Sequence, residues 1–190
     1  ILGFLENCVP DQPMTPADPF VSAKMSELFK VVELYVGNES ARLVGPVFFG
    51  AELNQAVAEQ IKPLMVKGLA AVDRLASFSP YMMGANVTMV DFYAYYIFTT
   101  ARLIAKKVWD WDILSEVDGL RDWLQIMSQR PMIKLVDDQR NILSLLGLIG
   151  FCSQVLVPGG WRTCWTVVAL RIAVHHGHAP MNGYWQAELD

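Results

Sequence analysis

Apolar side chains recur along most of this chain at intervals of three and four residues, the period of a helix that buries one face. Between Pro19 and about Leu43 that face is Val21, Met25, Leu28, Val32, Tyr35 and Val36, while Ser22, Ser26, Lys30 and Glu33 occupy another. Asp18-Pro19 reads as an N-cap followed by proline at the first helical position, where a missing N–H costs nothing. Gly37 is where this helix would bend, and Gly45-Pro46 is expected to end it. A second pattern, from Ala51 to Phe78, puts Leu53, Val57, Ile61, Leu64, Gly68, Val72 and Leu75 on one stripe. Proline in mid-helix costs about 3 kcal/mol, so Pro63 predicts a kink or a split there.

Ser79-Pro80 ends that segment, and a third helix is expected from Thr88 to Lys107, with Lys106 and Lys107 at the negative end of its dipole. Its start carries strong local chemistry. Thr88 suits an N-cap, and Asp91 three residues later can reach back to the Thr88 amide, closing a capping box with Asp in the place of Glu or Gln. Val87 and Phe92 stand at the positions of a hydrophobic staple. Asp118 is expected to cap a short helix with Leu120, Trp123, Leu124 and Met127 inward. Arg130-Pro131 then opens another, ending near Arg140. No segment alternates with the period of a strand. The fold class is therefore all-α, a bundle of about five or six helices.

Pro10, Pro13, Pro16 and Pro19 make a stiff non-helical connector before the first long helix. The far end differs in character. Thirty of the thirty-four charged side chains precede residue 141, whereas all three His and three of the six Trp follow it. The run Ile142–Val157 falls short of the ~20 apolar residues of a membrane span and is interrupted by Ser144, Ser153 and Gln154. The organisation read from the sequence is thus 1–15 as the end of a preceding domain with its linker, 16–143 as a helical domain, and 144–190 as an atypical apolar extension.

Charge and cysteines narrow the chemistry. A net charge of −4 with no basic cluster argues against a nucleic-acid partner. Cys8, Cys152 and Cys164 are widely spaced, which suits free thiols in a reducing cytoplasm better than a disulfide framework. His175-His176-x-His178 lacks carboxylate or thiolate ligands at a helpful spacing, so no metal site is expected. Asp110/Asp112 and Asp137/Asp138 read as solvated acids rather than an acid–base dyad. The chain opens on Ile with no basic leader, and reads as a piece of a longer polypeptide.

Several motifs in order resemble the C-terminal helical domain of bacterial cytosolic glutathione transferases. Ile1-Leu2-Gly3-Phe4-Leu5 with Val9-Pro10 is similar to the last helix of the preceding thioredoxin-like domain. Ala17-Asp18-Pro19-Phe20 with Ala23-Lys24 resembles the start of the first C-terminal helix. Glu33-Leu34-Tyr35, Ala41-Arg42 and Phe48-Phe49-Gly50 are similar to that helix and its apolar link. Tyr81-x-x-Gly84 and Thr88-x-x-Asp91 resemble the family's capping motif, and Trp123 with Arg130-Pro131 its penultimate helix and turn.

The resemblance implies attack of the glutathione thiolate on an apolar electrophile. The thiolate is the nucleophile, so its pKa must be lowered by a donor or a positive surrounding. In the family that donor (Tyr, Ser or Cys) and most glutathione contacts belong to the thioredoxin-like domain, so no catalytic residue is expected here. What this chain would supply is the oily electrophile pocket, formed by Leu28, Val31, Val32 and Tyr35, with Tyr35 offering a polar tip. Core packing is the alternative for Leu28, Val32 and Tyr35. Thr88 and Asp91 are assigned to folding. The resemblance further implies glutathione as co-substrate, a homodimer and the thioredoxin-like domain as partner, and the short run at 142–157 argues against a membrane partner. A non-catalytic protein-interaction domain of the same fold is the alternative function.

Overall fold

The computed structural model describes residues 2–8, 11 and 13–145. The expectations for the extension beyond Leu145, with Cys152, Cys164 and the three His, lie outside these. The chain divides into two compact units, Pro10–Arg130, and Ile1–Val9 with Pro131–Asp190. The second unit contributes α1 (Leu2–Cys8) and α8 (Pro131–Leu145), the latter carrying an Arg140–Asp137 ion pair one turn apart. Helix α8 runs past Arg140, where the sequence placed its end.

In the first unit, α2 (Pro19–Val31) begins as the sequence suggests, with the Asp18 carboxylate accepting from the N–H groups of Phe20 and Val21 at 2.8 and 2.9 Å. The helix then widens into a π-helical segment, Val32–Gly37, in which the Asn38 N–H donates five residues back to Glu33. It closes as α3 (Asn38–Ala41). Gly45-Pro46 does not end this helix. The break comes at Arg42 and Leu43, and Gly45 and Pro46 lie inside a short α4 (Val44–Phe48), because proline is tolerated in a first turn. Lys107 caps the far end of α4 by donating to the Val47 carbonyl.

Helix α5 spans Gln55–Leu75 without interruption. Its start is Asn54, whose side chain accepts from the Val57 N–H at 3.2 Å, rather than Ala51. Pro63 does not split it: an exposed proline loses one backbone bond, and the buried stripe below holds the two halves together. That stripe is Ala58, Ile61, Met65, Gly68, Leu69 and Val72. Leu53 and Leu64, assigned inward from the sequence, are each 37% exposed.

Helix α6 (Met89–Trp109) is the central element, and Ala94, Phe98, Ala101, Ile104 and Ala105 along it are all fully buried. Asp110 closes it in the left-handed region at φ 52°. A 3-10 turn (Ile113–Ser115) leads to α7 (Leu120–Ser128), which buries Leu120, Trp123, Leu124 and Met127. The cap of α7 is Gly119 at φ 80°, not Asp118, whose N–H instead donates to Asp73 at 3.2 Å. Phe78 lies against Gly119, where an added Cβ would stand 3.0 Å from the Phe78 Cβ. A glycine there satisfies both the positive φ and the close contact. No β-strand occurs among the described residues.

The start of α6 is held by Asp91, which has no exposed surface. One carboxylate oxygen accepts from the Thr88 N–H at 2.8 Å and from the Thr88 hydroxyl at 2.9 Å. The other accepts from the Met82 N–H at 2.8 Å and from Trp123 Nε1 at 2.9 Å. Four donors thus converge on one buried carboxylate, satisfying the group that burial alone would penalise. Arg130 secures the same region from outside. Its guanidinium donates to the Tyr81 hydroxyl at 2.8 Å and lies 5.7 Å from the Phe92 ring centre.

Candidate functional site

The π-helical segment of the first long helix is packed on one side by α5 and on the other by α6, and two glycines allow the approach. A Cβ on Gly68 of α5 would stand 2.5 Å from the Tyr35 Cβ, a distance no side chain sustains. A Cβ on Gly37 would meet the tip of Ile97 on α6 at 3.0 Å. The extra residue of a π turn changes which side chains face each neighbour, and such turns recur at functional sites.

Of the four residues expected to line the electrophile pocket, Leu28 and Val32 have no exposed surface and lie in the core of the unit. Val31 and Tyr35 are half-buried and reach the surface. The structure therefore places the four on one stretch of helix but at two depths. Tyr35 faces α5, where Lys67 sets its ammonium 5.8 Å from the ring centre, a cation–π distance. That partner was not read from the sequence, since nothing local links positions 35 and 67.

On the α6 side, Phe29 and Tyr93 stack with ring centres 4.2 Å apart and planes inclined by 23°. Burial pushes the Tyr93 phenol up to about 12, and the nearby Glu33 carboxylate adds to the rise. The phenol accordingly stays a hydrogen-bond donor through the physiological range. Glu33 is itself paired with Lys30 one turn earlier. A spacing of four between Phe29 and Glu33 could have signalled this second face. The sequence reading followed the more apolar one.

Among the described residues, no group of three or more His, Cys, Asp or Glu is placed to hold a metal ion. None of the helices described is long and apolar enough to cross a membrane. Asp110 and Asp112 are engaged in local pairs. The Lys106 ammonium holds the Asp110 carboxyl below its usual range, and the Arg121 guanidinium does the same for Asp112. Cys8 is a free, exposed thiol.

Comparison with known proteins shows what the helical unit resembles. Residues 55–125, from the start of α5 into α7, match the family profile described as glutathione S-transferase, C-terminal domain. From α5 into α7, the helical unit is similar to a glutathione S-transferase C-terminal domain. The chain is also similar to a glutathione S-transferase of Pseudomonas putida, 29% identical over 140 residues. That alignment covers 73% of this chain and 64% of the relative, so the chain spans just under two thirds of that protein's length. Within the matched region lie the glycine that admits Tyr35, the whole of α6, and the three residues whose four donors meet the Asp91 carboxylate. The domain's packing thus sets the position of the first long helix, which precedes the matched residues.

Proposed function

We propose that this chain forms the apolar, electrophile-binding side of a glutathione S-transferase active site, in which glutathione is conjugated to a small apolar electrophile. The observation that carries this reading is the match of α5 to α7 to the transferase C-terminal domain, in a unit whose described elements are all helices. Glutathione is the co-substrate, held mainly by a thioredoxin-like domain, which also lowers the pKa of the thiol so that the thiolate attacks. Val31 and Tyr35 are the surface contacts to the electrophile, and Leu28 and Val32 support them from below. The Tyr35 phenol donates a hydrogen bond to the acceptor or its leaving group, while the surrounding hydrocarbon excludes water. A homodimer in the cytoplasm completes the proposal.

Affinity for glutathione tests it. The protein in which this chain follows a thioredoxin-like domain is expected to be retained on immobilised glutathione and to conjugate an aryl halide, and the chain alone to do neither. Retention of the chain alone would move the glutathione contacts into the helical unit and overturn the reading. A joined protein that is retained but inert toward every electrophile would favour the assembly-domain alternative.

A further inference from the structure

Lys67 borders the Tyr35 ring from α5. It directly precedes Gly68, the glycine that lets the Tyr35 Cβ come so near. The close crossing brings that ring to the Lys67 ammonium, 5.8 Å from the ring centre. Tyr35 is half-buried and Lys67 is exposed, so the pair opens at the surface of the unit. Leu64, one turn before Lys67, and Val31, one turn before Tyr35, add hydrocarbon on the same two helices.

Both polar groups are uncommitted. Among the described residues, Lys67 has no ion pair and no hydrogen bond, and the Tyr35 hydroxyl has no hydrogen-bond partner. The acids of the two helices are engaged elsewhere or stand apart. Glu33 is paired with Lys30, Glu39 with Arg42, and Asp73 accepts from the Asp118 N–H. Glu59 lies more than two turns before Lys67 on α5. A full positive charge and an O–H donor thus share one aromatic ring, and no anion of the described residues receives them.

We propose that Lys67 sets the specificity of the electrophile site, selecting an aryl electrophile that carries a carboxylate, held jointly by the Lys67 ammonium and the Tyr35 hydroxyl. The proposal rests on Tyr35 being a surface contact to the electrophile. A carboxylate offers one oxygen to each donor, and its charge-assisted bonds are stronger than those of a neutral amide. In the reaction the glutathione sulfur bonds to the ring carbon that bears a halide, the halide leaves with the bonding electron pair, and the carboxylate is unchanged.

The substrates 4-fluoro-3-nitrobenzoate and its neutral amide share one reacting carbon. Their steady-state kinetics in the protein that joins this chain to a thioredoxin-like domain test the proposal. Lys67→Met is expected to raise KM for the benzoate about fivefold, the size of a charge pair at a partly exposed site, and to leave KM for the amide and for glutathione unchanged. Lys67→Arg keeps the charge and should restore the benzoate. Added salt should raise KM for the benzoate more in the unaltered protein than in Lys67→Met. The proposal is overturned if Lys67→Met leaves the benzoate unchanged, if it raises both KM values equally, as a merely structural role would, or if Lys67→Arg behaves as Lys67→Met. Tyr35→Ala separates these failures from failure of the electrophile-site reading. An unchanged KM for the amide in Tyr35→Ala, or a joined protein that conjugates neither compound, overturns both. A raised KM there, beside a Lys67→Met that is blind to charge, overturns the Lys67 proposal alone.

Discussion

Asp18 and Asp91 both stand at the start of a helix, yet one serves only its own backbone and the other joins three segments of the chain. Asp18 is exposed and caps two N–H groups within three residues of itself. Asp91 is sealed from solvent and gathers Thr88, Met82 and Trp123, the last 32 positions away. The same carboxylate chemistry is therefore a local convenience at α2 and a tertiary joint at α6. The difference lies in water: an exposed donor that loses its acceptor finds solvent, whereas a buried one does not.

This contrast sets the order of effects. Asp91→Ala strands four donors in the interior and is expected to cost roughly 3–5 kcal/mol by urea unfolding. A loss below ~1 kcal/mol would show that the joint is ornamental. Trp123→Phe removes one of those donors and part of a buried ring, for about 1–3 kcal/mol in the same measurement. Asp18→Ala should cost about 1 kcal/mol, an ordinary exposed cap. A value for Asp18 equal to that for Asp91 would erase the distinction.

The effect that vanishes at neutral pH concerns Tyr93, where burial acts on a proton rather than on a bond. Its phenol is raised in the folded protein from 10.0 to about 12. The unfolded chain releases this proton first, so stability from this group is complete below pH 10 and declines as pH rises toward 12. Tyr93→Phe should flatten that part of the stability–pH profile, and an unchanged profile would remove Tyr93 as its source.

The sequence made some of this legible and left the rest hidden for physical reasons. Thr88-x-x-Asp91 could be read because a helix start is a local event with a fixed spacing. The inward set of α7 could be read because Leu120, Trp123, Leu124 and Met127 follow one period. The links from Asp91 to Met82 and Trp123 could not, because no local rule joins residues across a loop. Likewise, apolar identity did not decide the stripe of α5. Leu64 and Met65 are adjacent and both oily, and it is the packing of the whole stripe from Ala58 to Val72, closest at Gly68 against Tyr35, that turns Met65 inward. Gly119 replaced Asp118 as a cap because Phe78 left no room for a side chain. For the proposed site, all four residues fall on one stretch of helix, but depth along it depends on neighbours, and so Leu28 and Val32 separate from Val31 and Tyr35.

The measurement that bears most directly on the electrophile-side proposal is the kinetics of Tyr35→Ala in the protein that joins this chain to a thioredoxin-like domain. The account predicts that KM for an apolar electrophile rises severalfold while KM for glutathione stays unchanged. A rise in KM for glutathione instead, or no change in either constant, would contradict it.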